Sequence, residues 1–265
     1  MKRNRISIFM ILLCLLLILQ PLSVSALTAS EAKLAWYEAK ERSREAQEAH
    51  RQAKIAWAAD QTPENNQLVI DTGKEALSAA LDEAEAWLIW QDREVDENPE
   101  IPSDLKTAIE EDVGKNLEKV DDLRDDVAAI KTRVDLGITF LKMTGKYLEL
   151  LTDVARNSGL VWVNVANDHA DTIEVYEAQL REAAEDMSDN NAILDNLDLA
   201  GAELDTARTN IENARAEYLQ VRLPGTPLIR FSNGNNYLKI ARGNMLSAHG
   251  YLNQAFNLIV QGGRA

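Results

Sequence analysis

The chain has one cysteine, Cys14, and so has no partner for an intrachain disulfide. Its fold must rest on an apolar core. Histidine is nearly as scarce. Helical bundles that hold two metal ions use Glu-x-x-His pairs on facing helices, but Gln47, Ala166 and Leu246 stand three residues before His50, His169 and His249. His-Glu-x-x-His and Gly-x-Ser-x-Gly do not occur. A phosphate-binding loop needs a glycine five residues ahead of its Gly-Lys pair, and Leu68 and Phe140 occupy those places before Gly73 and Gly145. These absences leave no catalytic residue, no cofactor site and no metal ligand to nominate, and the chain reads as a non-enzyme. Asn-x-Ser/Thr is missing too, which removes N-glycosylation as an explanation of the surface.

Proline and glycine are sparse, and they gather where apolar periodicity stops. The first residues divide into a basic start (Lys2, Arg3, Arg5), an apolar run from Ile6 to Leu19, and a stretch ending Val24-Ser25-Ala26. This is the layout of a secretory signal peptide over residues 1–26. The apolar run is about fourteen residues, short of the roughly twenty that span a bilayer, so cleavage is expected rather than a retained N-terminal anchor. Cys14 lies inside the run rather than after it, which argues against a lipid anchor. The expected address is extracytoplasmic, secreted or associated with the cell envelope, with no membrane span after cleavage.

Negative charge is abundant: 43 acidic side chains stand against 28 basic ones, and three of the basic ones fall in the first 26 residues. The remainder carries a formal charge of about −18. Such a surface repels phosphate backbones, so nucleic acid is excluded as a partner. Loose cation binding and solubility at high ionic strength both remain compatible with it.

The fold class expected is all-α, an elongated bundle of long antiparallel helices with coiled-coil-like hairpins. A first helix over about 28–59 carries a stripe of small residues, Ala32, Ala35, Ala39, Ser43, Ala46, Ala49, Ala53 and Ala56, flanked by Trp36 and Trp57. Thr62-Pro63-Glu64 combines a capping hydroxyl, proline at the first helical position and an early carboxylate. The second helix should run through Leu77, Leu81, Trp87 and Leu88 to about Val95 and stop before Pro99 and Pro102. From Ser103, apolar positions recur at Leu105, Ile109, Val113, Leu117, Val120, Leu123, Val127, Ile130, Val134, Ile138, Leu141, Gly145 and Leu148, at an average of about 3.6 residues per step. That predicts one helix to about Arg156, or a kink near Asp135-Leu136-Gly137. Asn157-Ser158-Gly159 reads as the next break.

Beyond it a seam runs Trp162, Ala166, His169, Ile173, Tyr176, Leu180, Ala183 and Met187, with His169 expected as a hydrogen-bonded core histidine. Ser188-Asp189-Asn190-Asn191 is a turn, unless the two flanking seams join into one long helix. The second seam is Ile193, Leu197, Ala200, Leu204, Ala207, Ile211, Ala214, Tyr218 and Val221, averaging about 3.5 residues per step. Residues 27–221 thus form the helical bundle, with a faint repeat of a hairpin unit echoed in Thr72-Gly73-Lys74 and Thr144-Gly145-Lys146. Gly73 and Gly145 are expected at close helix contacts, with Lys74 and Lys146 in solvent. Residues 222–234 form an irregular loop, and 235–261 a C-terminal helix carrying Leu238, Ala241, Met245, Ala248, Leu252, Ala255 and Leu258 on the bundle. The paired long helices, Asn235-Asn236-Tyr237-Leu238 and Ala241-Arg242 resemble secreted archaeal and bacterial all-helical proteins of unknown function. The resemblance implies no activity and no site.

Carboxylate clusters at Asp121-Asp122 with Asp125-Asp126, and at Asp92, Glu94, Asp96 and Glu97, read as solvated faces. Calcium needs six to eight oxygens from a turning backbone, which a regular helix does not offer. The expected function is therefore that of an extracytoplasmic structural or protein-interaction scaffold with a protein or cell-envelope partner. The alternative is an exported binder of calcium or of a small molecule held between helices. The partner contact is expected in the irregular loop, at Arg230, Phe231 and Asn233, against the simpler reading that Leu228, Ile229 and Phe231 seal the end of the bundle. Heptad seams close within one chain or between two, which leaves the oligomeric state open.

Overall fold

The computed structural model describes residues 27–185, 187 and 189–262. The expected signal segment lies outside the described residues. Among them, all regular structure is α-helical: α1 (Ala29–Ala59), α2 (Pro63–Asp96), α3 (Ser103–Ala128), α4 (Arg133–Glu185), α5 (Asn191–Tyr218) and α6 (Pro227–Gly262). No described helix is long and apolar enough to cross a membrane.

The helix starts have local causes. Thr28 and Glu31 form a reciprocal capping box at the head of α1. Glu97, one of the clustered acids, accepts a hydrogen bond from Ala29 N at 2.7 Å, so that carboxylate holds a helix end. Thr62 accepts from Asn65 N at 3.2 Å with Pro63 at the first helical position, as the sequence predicts.

α1 lies on α2 through Ala32, Ala39, Ser43, Ala46 and Ala53, which are buried. Ala49, expected in the same stripe, is exposed, and His50 turns inward beside it. Gly73 of α2 sits so close to Leu136 of α4 that a Cβ there would fall 2.4 Å from its methyl carbon, which confirms the expected close contact. Gly145 has open space where a Cβ would go, so the expectation fails there. Lys74 donates to the carbonyls of Ala128 and Ile130, at 3.3 and 3.4 Å, and closes the end of α3.

α2, α3 and the first half of α4 enclose one core around Leu88, Ile109, Val120, Leu136 and Leu150. The second half of α4 packs with α5 and α6 around two further cores, one at Ile211 and Tyr218 and one at Leu197 and Leu252. With 53 residues, α4 is about 80 Å long and alone contributes to all three. Arg181 of α4 pairs with Asp198 of α5, and Arg208 of α5 pairs back with Asp171 of α4 at 2.8 Å, which fixes the two helices as antiparallel. α4 ends at Glu185 and α5 begins at Asn191, so the single joined helix is not adopted. Every residue of the α5 seam, from Ile193 to Val221, is buried as expected.

Four expectations need correction. The stretch from Ser103 to Arg156 is not continuous: α3 ends at Ala128 and α4 begins at Arg133, upstream of the expected kink. Thr132 and Asp135 cause the break. Asp135 Oδ2 accepts from the backbone of Lys131 and Thr132, at 3.1 and 2.8 Å, while Thr132 Oγ1 accepts from Asp135 N at 3.1 Å. The break resets the helical phase, so α4 buries Leu136, Thr139 and Leu150, and the continued stripe of Val134, Ile138, Leu141 and Leu148 is exposed.

Asn157-Ser158-Gly159 is no break either. Gly159 lies within α4 because the ring of Tyr218 occupies the space of its missing Cβ, only 2.3 Å from where one would stand. The seam that follows is only partly shifted: Leu180 is buried and Ala166, Ile173, Tyr176 and Met187 pack on the cores as expected, whereas Trp162, His169 and Ala183 are exposed and their neighbours Val163, Ala170 and Ala184 are buried in their place. α4 is covered there by α5 and α6 together, and a two-helix neighbourhood buries a different arc from a single seam. His169 is accordingly not a core histidine. Finally, α6 begins at Pro227, eight residues before the expected start, and most of the expected irregular loop is helical. Thr226-Pro227 repeats the Thr-Pro start of α2, with Arg230 N donating to Thr226 O at 3.0 Å.

Candidate binding cleft

The three residues expected to meet a partner lie in the first turns of α6 and are engaged within the chain. Arg230 donates to both carboxylate oxygens of Glu217 at 3.1 Å, Asn233 donates to the same carboxylate at 3.4 Å, and Phe231 packs on Tyr218 with ring centroids 5.7 Å apart. Phe231 does seal the bundle end, whereas Leu228 and Ile229 are exposed.

A broad concavity lies elsewhere, between α1 and α4. α1 packs on α2 alone, and no Cα of α1 comes within 8 Å of one on α3 or α4. Packed helices normally run 8–10 Å apart, so α1 and α4 stand as two walls over a floor of α2 and α3. The cleft between them has a volume of 1290 Å³. Along α1 it is lined from Trp36 to Trp57, and along α4 from Arg133 to Leu151, which is about 30 Å on either wall. Val69, Ala76, Leu77, Leu81 and Ala84 pave the floor, and Phe140, Met143 and Tyr147 form the α4 wall. Phe140 is 57% exposed, so an aromatic ring faces solvent at the mouth.

One end of the cleft is tied shut. The guanidinium of Arg133 lies over the ring of Trp57, 3.6 Å from its centroid. Just inside, Leu136 and His50 both close on Gly73. Thr72 Oγ1 spends its proton on Leu68 O at 2.7 Å, so His50 Nδ1, 3.3 Å away, must be the donor to it. Burial, and then the charge of Lys54, hold the His50 pKa below its ordinary value. At the opposite end Trp36 stacks on Trp90 with centroids 4.9 Å apart, and Lys40 lies 5.0 Å over Trp36.

The charge of the lining is opposite to that of the chain. Seven cationic side chains, Lys40, Arg44, Arg51, Lys54, Lys119, Arg133 and Lys146, border the cleft, against the two carboxylates Glu48 and Glu83. Arg51, and then Gln52, hold the Glu48 pKa down to about 2, so that carboxylate stays ionised. Burial, and then the Glu83 carboxylate, raise the Tyr147 phenol. On the floor, the buried Asn116 donates to Asp153 at 3.1 Å and accepts from Lys119 at 3.1 Å, while Arg156 joins Asp153 to Asp112. This network fixes α3 against α4 and keeps the floor rigid.

Nothing in the sequence reading singled out this cleft. The signal present was the spacing of Lys40, Arg44, Arg51 and Lys54 on one face of an alanine-striped helix with a tryptophan near each end. Among the described residues, no group of three or more His, Cys, Asp or Glu is placed to hold a metal ion.

The described residues thus form an all-α bundle with an open, cation-edged cleft between α1 and α4. Comparison with family models, with curated proteins and with solved structures finds no match.

Proposed function

We propose that this protein acts outside the cytoplasm as a non-enzymatic interaction protein that receives an elongated partner in the cleft between α1 and α4. The observation that carries the reading is that separation: α1 and α4 are held apart along about 30 Å with apolar and aromatic side chains facing the space between them. Apolar concave surfaces with a few polar groups at their rims are preferred places for partners to bind. Export rests on the basic and apolar pattern of residues 1–26.

The test is a photo-crosslinking amino acid at position 140, on the cleft wall, compared with one at position 199 on the exposed side of α5. In the native cell envelope, position 140 should give a discrete adduct and position 199 none. Equal labelling from both positions, or from neither, removes the reading. The same cleft supports a second reading, an apolar small molecule held between helices, which would appear as a mass increase of a few hundred daltons on the protein released intact from its native source.

A further inference from the structure

We propose that the occupant of the cleft is an acidic amphipathic α-helix of a partner protein, about twenty residues long, an inference that rests on the cleft being a docking site. Its length follows from the walls: Trp36 to Trp57 and Arg133 to Leu151 each match about five helical turns. Its apolar face follows from the floor and from Phe140, Met143 and Tyr147. Helix-in-groove recognition seats one apolar stripe and leaves the two flanks of the incoming helix against the rims.

The sign of those flanks follows from the rims. Lys40, Arg44, Arg51 and Lys54 are spread over fourteen residues of α1, about 21 Å. Arg133 and Lys146 stand on the α4 wall opposite and Lys119 on the floor, with Lys119 and Lys146 both against Glu149. A lipid carries its charge at one end, so a single head group would use one or two of these cations and leave the others idle. A rod with carboxylates at every turn engages them in succession. Two of the α1 cations have capacity to spare: among the described residues, neither Lys40 nor Lys54 has a carboxylate at ion-pair distance. Arg44 and Arg51 have only exposed partners one turn away on their own helix, which exchange readily for a stronger one. The chain elsewhere is acidic, so the cleft is also the place where an acidic partner meets least repulsion.

The experiment uses three designed 21-residue peptides that share one leucine seam and differ only in flanks of Glu, Gln or Lys. Binding to the purified protein is followed by tryptophan fluorescence, to which Trp36 and Trp57 report from the ends of the cleft, and by calorimetry. The Glu-flanked peptide should bind one to one, at least about tenfold more tightly than the Gln-flanked one at low salt, with the gap closing as salt rises. The Lys-flanked peptide should not compete.

Lys40→Glu with Lys54→Glu should abolish the preference for Glu flanks. The milder pair Lys40→Gln with Lys54→Gln should halve or further reduce it, with an unchanged circular dichroism spectrum. Equal affinity for Gln or Lys flanks overturns the inference while leaving the docking reading intact. Saturable binding only to phosphatidylglycerol vesicles or oleate overturns it in favour of a lipid, and a position-140 adduct to a second copy of this chain overturns it in favour of self-association. No binding by any peptide also overturns it, and the envelope adduct at position 140 then decides separately whether the cleft docks anything.

Discussion

Tyr218 is the largest side chain wholly buried among the described residues, and two glycines make room for it. Its hydroxyl donates to Asn235 Oδ1 at 2.7 Å, and burial raises its pKa to about 12. Gly159 and Gly234 lie under the ring at distances no Cβ could share. Gly159→Ala should therefore cost about 1–3 kcal/mol through overpacking, despite the better helix propensity of alanine. Gly145→Ala, in open space on the same helix, should stabilise by about 0.5–1 kcal/mol. Urea unfolding of the two variants checks the opposite signs.

His50 is a second residue whose surroundings make a prediction. Its folded-state pKa is depressed, so between about pH 6.5 and its lower folded value the unfolded chain takes up more protons. Its contribution is fully present above about pH 6.5 and is lost as the pH falls through that window. His50→Gln should flatten the decline in Tm between pH 7 and pH 5, measured by thermal melts. An unchanged slope would show that the ring is not differentially protonated.

At the scale of helices, what could be read depended on how many neighbours each one has. α5 lies along α4 and α6 with one seam, and its nine spaced residues could be listed from the sequence alone. α4 has different neighbours along its length, so no single period describes its buried face, and Trp162, His169 and Ala183 are exposed although Leu180 of the same expected seam is buried. The start of α4 was legible in Thr132-Arg133-Val134-Asp135, a capping pair that went unread because the apolar period runs on through it. The cleft was not legible for a related reason: periodicity reports which face of a helix is apolar, not how far away the next helix stands. Asp135→Ala should remove acceptors from two backbone donors and destabilise the protein by about 0.5–2 kcal/mol. Chemical denaturation measures it, and a change near zero would assign the break to some other cause. The loop expected over 222–234 failed because Ser232, Asn233 and Gly234 look like turn residues, whereas Gly234 is helical so that Tyr218 can approach.

In the whole molecule, the core formed with α2 and α3 and the two formed with α5 and α6 share only α4. Cooperativity between the halves must pass through that one helix, near Asn157, Ser158 and Gly159. Ser158→Pro interrupts the backbone bonding there. It should split a single thermal transition into two, the half without the cleft retaining most of the helical signal it started with. Calorimetry distinguishes this from a uniform shift of one transition.

α1 is fastened differently from the other helices. Its inner face is alanine and one serine, it adds no residue to any of the three cores, and its far end is tied by Arg133 on Trp57. Alanine methyls bring little area to a contact, so lifting this helix away takes less work than lifting any other. Its amides should lose their deuterium protection first, before any global opening. The wall that frames the cleft is thus also the part of the protein most able to swing outward, admit a guest and fold back over it.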